Sequence, residues 1–287
     1  MNFKEFKEFK GFKEFKKFKE FKGFKKFGEF KEKVISKNKL KELAAYRLQK
    51  RCDEEAVFVV EGPKMCAEAL VSGFVIRTVC AVESGEWRAE SEKRGIEYYE
   101  VSPAELERLS NMKSPNQVWM LVERRVERGE RREERGERRD EGGELVLALD
   151  KIQDPGNMGT MLRTADWFGV RHVVCSRDTV SSYNPKVVQA SMGAVFRTRV
   201  DYVDLPQWLN ECGKPVYGAS LAGRPLNEVE LQPGGSVLLI GNESRGISPE
   251  AMAKVTHPVL IPNRGGTAES LNASVAAGIL MQILWNN

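Results

Sequence analysis

Two rhythms of hydrophobic and polar positions alternate along the chain from residue 34 onward. "NKLKELAAYRLQK" places Leu40, Leu43 and Leu48 near helical spacing and predicts one helix. "AVFVV" (56–60) predicts a strand, "PKMCAEALVSG" a helix opening at Pro63, and "VIRTVCAV" (75–82) a second strand. "GIEYYEVS", "PAELERLS" and "NQVWMLV" (116–122) continue as strand, short helix and strand. This alternation predicts a compact α/β sandwich.

The pattern restarts at "ELVLALD" (144–150), an apolar strand that runs into the turn "IQDPGNMG". The next stretch, through "TMLRTADWFG", has an apolar stripe of Met158, Met161, Leu162, Ala165 and Phe168 and reads as a helix. Strand "RHVVCS", a helix near "NPKVVQASMG", strands "GKPVYGAS" (213–220), "SVLLIG" (236–241) and "HPVLIP" (257–262), and a closing helix from Leu271 follow. Short apolar strands separated by helices predict an α/β domain with a largely parallel sheet and ligands at the strands' carboxyl ends.

Two segments break both rhythms. Residues 1–33 repeat "FKEFKEFKGFKEFK", with phenylalanine at every third position from Phe3 to Phe30. A period of three drifts around a helix, so no single apolar face results. The repeat reads as a tail without chemistry, with a membrane-surface or partner helix as the lesser alternative, and no membrane partner is expected. Residues 123–144, "ERRVERGERREERGERRDEGGE", mix both charge signs with glycine and have almost nothing apolar to bury, which predicts a solvated linker. The expected organisation is therefore a repeat tail (1–33), a first domain (34–122), a linker (123–144) and a second domain (145–287).

The bulk properties sharpen this picture only in part. A length of 287 residues suits two domains, and 41% hydrophobic content supplies their cores. The 45 basic residues nearly balance 41 acidic ones, so the net charge of +4 says little about partners. No apolar run approaches a membrane span, and the basic N-terminus lacks the apolar core of a signal peptide. Five cysteines without a C-x-x-C pair argue against a zinc site or a disulfide framework; no metal is expected, and a reducing cytoplasm is. The two histidines, His172 and His257, begin apolar strands and read as structural.

Chemistry concentrates in three glycine-bearing loops at presumed strand ends: 150–170, 240–248 and 261–280. "GNESRGIS" (241–248) spaces its glycines like a phosphate-binding P-loop, but Ile247 occupies the lysine position, which argues against nucleotide hydrolysis. No G-x-G-x-x-G follows a strand, so dinucleotide binding has no support.

Together the three loops resemble the motifs of the SpoU or TrmH branch of the SPOUT RNA methyltransferases. The first motif is Asn157-Met158-Gly159 with Arg163-Thr164-Ala165, and the second is Gly241-Asn242-Glu243 with Arg245-Gly246. The third is Ile261-Pro262 leading to Ser270-Leu271-Asn272. The resemblance covers roughly 145–287; residues 34–122 resemble the family's L30e-like substrate-binding domain through "NKLKELAAYRLQKR" and "FVVEG". One departure is "NRGG" after Ile261-Pro262, where many relatives carry methionine and a shorter loop, and it bears on the pocket's shape.

The resemblance implies an α/β SPOUT domain with a parallel sheet and a deep trefoil knot, beside the smaller L30e-like α/β domain. It implies S-adenosylmethionine as cofactor, methyl transfer to a ribose 2′-hydroxyl of RNA, and a homodimer. Arg163 is by resemblance the substrate-activating residue. A guanidinium stays protonated, which favours a clamp that stabilises the alkoxide over the base often discussed for the family. Asn157, Ser270 and Asn272 would orient the hydroxyl or hold loops, and Glu243 would lock Arg163 or the knot. Ile240, Gly241, Ile261 and Leu271 would contact the cofactor. Ribosomal RNA, 23S above all, is favoured over tRNA, because tRNA-modifying relatives typically lack the L30e-like domain. A non-catalytic RNA-binding or ribosome-assembly protein on the same fold is the alternative from another class.

Overall fold

The computed structural model describes residues 34–82, 85–125, 145–229 and 235–285. They fall into two compact units, one up to Val126 and one from Glu127 onward. The phenylalanine repeat at 1–33 and the charged stretch from 126 to 144 lie outside the described residues.

The first unit has strands β1 (Val57–Glu61), β2 (Ile76–Ala81), β3 (Glu97–Glu100) and β4 (Val118–Glu123) in the order β1-β4-β2-β3. Strand β4 runs antiparallel to β1 and β2, and β3 parallel to β2. Its helices are α1 (Lys37–Ala44), α2 (Gln49–Glu54), α3 (Pro63–Val71), α4 (Gly85–Arg94) and α5 (Pro103–Leu109). Val57, Val59, Cys80, Trp119 and Leu121 pack against Leu40, Leu43, Tyr46, Leu106 and Leu109, while α3 packs on β1 and β4. Every residue of β1 is buried, which is why it reads as an unbroken apolar run.

The single helix expected over "NKLKELAAYRLQK" is two. Helix α1 ends at Ala44, a 3-10 turn spans Ala45–Arg47, and Leu48 is extended (φ −87°, ψ 121°) before α2. The turn buries Tyr46, whose hydroxyl donates to Glu55 at 2.6 Å, and leaves Leu48 exposed. Burial pushes the Tyr46 hydroxyl up to about 12, and the Glu55 hydrogen bond adds to the shift. Helix α4 has no counterpart in the sequence reading.

In the second unit β5 (Val146–Leu149), β6 (His172–Ser176), β7 (Arg199–Val203), β8 (Val216–Pro225), β9 (Val237–Ile240) and β10 (His257–Leu260) form one sheet. Its order is β10-β8-β9-β5-β6-β7. All its pairings are parallel. The helices are α6 (Pro155–Trp167), α7 (Pro185–Ser191), α8 (Leu205–Glu211), α9 (Pro249–Met252) and α10 (Ala273–Trp285). Strand alternation divides the core in two. Leu147 and Leu149 face Met158, Met161, Leu162, Ala165, Ala277 and Leu280 of α6 and α10. Val146 and Ala148 face the other way with Leu205, Leu209, Ile247 and Ala251.

Several helices open on a polar cap followed by proline at the first turn, where a missing N–H costs nothing. Ser102-Pro103, Asp154-Pro155 and Asn184-Pro185 all do so, each with a side chain accepting a backbone N–H. Strand β8 runs to Pro225, well past the expected end at 220, and β7 and α8 were not anticipated. From β5 the chain moves outward through β6 to β7, then crosses to β8 and returns to place β9 beside β5. The carboxyl ends of β5 and β9 therefore flank the point where connections diverge, the crevice in which such sheets bind ligands.

Candidate active site

The loop leaving β5 begins with Asp150, which is 2% exposed and accepts the Ser248 N–H at 2.6 Å. Lys151 follows in the left-handed region (φ 55°), a costly conformation for a side chain with a Cβ. The chain holds it there: Lys151 N–H donates to Ser176 Oγ at 2.8 Å, and its carbonyl accepts from Asn242 Nδ2 at 2.9 Å. Asp154 then caps α6 by accepting the Asn157 N–H at 2.7 Å. Neither Asp150 nor Lys151 was singled out from sequence, because an Asp-Lys pair after a strand reads as an ordinary turn.

The loop leaving β9 is a tongue folded on itself. Asn242 and Gly246 exchange backbone hydrogen bonds at 2.9 and 2.8 Å, and Asn242 Oδ1 accepts the Ser244 and Arg245 N–H groups. A methyl group on Gly241 would collide with the Gly246–Ile247 backbone, so that glycine admits the chain's own return. Ile247, at the position of a P-loop lysine, is buried in the core. This loop closes on itself and on the β5 loop; it cradles no phosphate with a lysine.

The third loop reaches Asn272, which caps α10: its Oδ1 accepts the Ser274 N–H at 2.9 Å and the Ser274 hydroxyl at 2.6 Å. Its Nδ2 donates to Asn157 Oδ1 at 2.8 Å and to Glu243 Oε1 at 3.2 Å. Asn157 Nδ2 donates to Glu243 Oε2 at 3.1 Å. One side chain from each loop thus closes a hydrogen-bonded triangle. A cleft of about 320 Å³ opens there, lined by Ile152, Gln153, Asp154, Asn157, Asn242, Glu243, Ser244, Arg245 and Ala273. Its walls are mostly polar, and its size is at the low end for small-ligand sites.

Of the two roles expected for Glu243, a hold on Arg163 or on the loops, the structure has the second. Glu243 engages Asn157 and Asn272 and makes no contact with Arg163, which is exposed and has no hydrogen bond or ion pair among the described residues. Ser270 is exposed and lies outside the triangle, since no described residue hydrogen-bonds it. Arg245 lines the cleft, but its side chain braces no neighbouring loop; only its N–H is bonded. The residues expected at the cofactor are spread more widely than a single pocket. Ile240 is buried in the core, Gly241 is enclosed by backbone, Ile261 is half-buried and Leu271 is 46% exposed. None of the four lines the cleft.

The helix carrying Asn157 is set by close packing. A methyl group on Gly159 would collide with Ala190 and the Val187 carbonyl of α7, so the motif glycine allows α6 and α7 to touch. Both histidines are structural: His172 Nε2 bonds Asp201 at 2.8 Å, and His257 stacks on Tyr217 with centroids 4.8 Å apart. Burial pushes the Cys52 thiol up to about 11 and the Cys66, Cys80 and Cys175 thiols well up as well, away from the low range of a reactive thiolate.

Residues 144–282 match the SpoU rRNA Methylase family, and residues 37–119 match the MRM3-like substrate binding domain. The chain is 30% identical over 248 residues to the 23S rRNA (guanosine(2553)-2′-O)-methyltransferase RlmP of Bacillus subtilis, covering 85% of this chain and 94% of that protein. The chain belongs to the SpoU/TrmH family. Among solved structures, this SpoU chain is similar to a TrmH-family protein from Porphyromonas gingivalis (TM-score 0.74, 35% identity, 88% of this chain and 98% of that one). It is also similar to the AdoMet-bound rRNA methyltransferase from Sinorhizobium meliloti (TM-score 0.77, 29% identity, 89% and 97%). The matched residues 144–282 include all three loops that meet at the triangle. No described helix is long and apolar enough to cross a membrane.

Proposed function

We propose that the chain transfers a methyl group from S-adenosylmethionine to a ribose 2′-hydroxyl of ribosomal RNA, with 23S rRNA preferred over tRNA. The observation that carries this reading is the triangle of Asn157, Glu243 and Asn272 at the β5/β9 crevice, where the helix of Asn157 also presents Arg163, unpaired among the described residues. The names of the B. subtilis relative and of the S. meliloti structure support the reaction and the cofactor.

Bound S-adenosylmethionine supplies an electrophilic methyl group on a sulfonium. We assign its contacts to Ile240, Gly241, Ile261 and Leu271. Half-buried Ile261 and exposed Leu271 leave apolar surface for an adenosine, while Gly241 keeps side-chain bulk out of the loop. The protein's own tasks are to align the ribose oxygen, ease loss of its proton and stabilise the alkoxide. Arg163 suits the last task, because it is charged, exposed and paired with none of the described residues. Both carboxylate oxygens of Glu243 accept from asparagine amides, so Glu243 holds the loops in register instead of acting as a base. Ser270 is free to contact substrate or cofactor.

We further propose that the C-terminal segment forms a deep trefoil knot and that the first unit is an L30e-like domain that binds the RNA substrate; the match of residues 37–119 to a substrate binding domain supports the second point. We divide the chain into a repeat tail (1–33), a substrate domain (34–122), a linker (123–144) and a methyltransferase domain (145–287). A homodimer fits the apolar surface of α10 and its neighbour. Val275 is 50% and Ile279 37% exposed, and Trp167 of α6 is 84% exposed. The small residues Ala273, Ala277 and Gly278 are used within the chain, with Gly278 facing Thr164 of α6. The five cysteines are free, which fits a reducing cytoplasm. Mapping of 2′-O-methyl sites in rRNA and tRNA from cells with and without the gene tests the reading. One rRNA position should lose its methyl group; an unchanged map would instead favour a non-catalytic RNA-binding protein.

A further inference from the structure

Glu61 closes β1 with a carboxylate that is 7% exposed. Its Oε1 accepts the Asn111 N–H at 2.9 Å and its Oε2 accepts the Ser110 hydroxyl. Ser110 Oγ, itself buried, accepts the Met112 N–H at 2.9 Å. At the loop's far end Gln117 adopts φ 59°, with its carbonyl bonded to the Val82 N–H at 2.8 Å. The loop 111–117 is thus pinned at both ends.

Its side chains are not spent. Asn111, Lys113, Ser114, Asn116 and Gln117 are exposed, and their side chains make no hydrogen bond or ion pair with the described residues. Some cations of the unit are paired, Arg51 and Arg77 with Glu55, Arg124 with Asp53, Arg88 with Glu92 and Arg94 with Glu90, while Lys113 on this loop has no carboxylate among the described residues. A buried carboxylate is costly. Burial raises the Glu61 pKa, and only the bonds to Ser110 and Asn111 and the field of Arg47 oppose it.

We propose that the loop 111–117 reads unpaired bases of the substrate RNA, with Glu61 as the residue that positions it. The choice of RNA as partner rests on the function proposed above. Amide side chains on an ordered loop offer paired donors and acceptors to the edges of unstacked bases, and Lys113 adds a phosphate contact. Apart from half-buried Met112 and Pro115 the loop is polar, which suits a nucleic acid better than a second copy of the chain.

The test uses the full chain, protein-free 23S rRNA and S-adenosylmethionine. Asn111→Ala and Asn116→Ala should each weaken rRNA binding by roughly 5- to 50-fold. Lys113→Ala should lower the salt dependence by about one counterion. Cofactor affinity and turnover at saturating RNA should stay near wild type, so the loss appears in KM. Glu61→Ala should reproduce the loss, and Glu61→Gln, which keeps one acceptor oxygen, should recover most of it. If Glu61→Ala does not fold, the exposed asparagine variants carry the test. Folded asparagine variants that bind rRNA like wild type would overturn the loop assignment. So would variants that bind naked rRNA normally but lose only the assembled ribosomal particle, since that pattern indicates a protein partner. A wild-type chain that binds no rRNA would instead sink the proposed function, and with it the RNA partner assigned here.

Discussion

Asn157 Nδ2 donates to Glu243 Oε2 at 3.1 Å across 86 residues of sequence, and this bond joins the loops leaving β5 and β9. Asn272 donates to both partners, so Glu243 is the common acceptor of two amides. Glu243→Ala would remove the shared acceptor and loosen the three loops, while the amide of exposed Asn272 can turn to water. The expected outcome is about a 10-fold or greater loss of S-adenosylmethionine affinity by calorimetry, with little change in melting temperature because Glu243 is exposed. Unchanged affinity would mean the triangle does not shape the cofactor site.

Gly241→Ala should behave differently. The added methyl group collides with backbone at Gly246 and Ile247, which cannot move without breaking the Asn242–Gly246 pair. A loss of at least ~1–3 kcal/mol is expected in chemical denaturation. A stable, cofactor-binding Gly241→Ala protein would contradict the packing described for this loop.

Asp201 gives a pH-dependent expectation. Burial alone would push its carboxyl up, but hydrogen bonds from His172 and Arg199 outweigh that and hold it at about 2, below the ordinary 3.8. The folded state therefore binds fewer protons than the unfolded one in this window. The resulting stability is fully present above about pH 4 and is lost as pH falls toward about 2. After allowance for solvent screening it amounts to about 1–2 kcal/mol. Asp201→Asn should remove it at pH 7 and flatten the acid limb between pH 4 and 2, which denaturant melts at several pH values would check.

Val275 and Ile279 bear on assembly. Ile279→Glu places a charge on the exposed apolar side of α10 without touching the buried Ala277 and Leu280. Sedimentation should show a shift from dimer to monomer with helical content retained. A wild-type protein that is monomeric at every concentration and still active would remove the dimer from the account.

Much of the fold was legible because its local signals agree. The polar cap before proline marks the starts of α5 and α7, and the apolar runs of β1, β5 and β9 read as strands because they are buried on both faces. The same signal at Asp154-Pro155 reads in the sequence as part of a turn, whereas α6 begins there and holds Asn157 to Gly159 in its first turns. Helix α4 escaped notice because "GEWRAESEKR" has Trp87 as its one large apolar residue and no stripe. Strand β7 lies at the sheet edge with residues that are only half-buried, so neither alternation nor an apolar run announces it. At the site, the motif residues named the loops, but their pairing was not readable. Whether Glu243 meets Arg163 or two asparagines depends on how loops far apart in sequence are folded together. Asp150 and Lys151 gave no signal, since burial and a left-handed backbone are properties of the folded chain.

Arg163 carries the mechanistic claim. With no partner among the described residues, Arg163→Ala should leave the melting temperature and cofactor affinity unchanged while methyl transfer falls by roughly 10²–10³-fold. Arg163→Lys should recover little, because a point charge does not reproduce a planar fork.

The most direct test is single-turnover transfer of labelled methyl from S-adenosylmethionine to protein-free 23S rRNA, followed by alkaline hydrolysis. A label in alkali-resistant dinucleotides is expected, since a methylated 2′-oxygen cannot attack its phosphate, and Arg163→Ala should abolish that label on the measured timescale. A label on a base, or no transfer by a folded, cofactor-binding wild-type protein, would contradict the account.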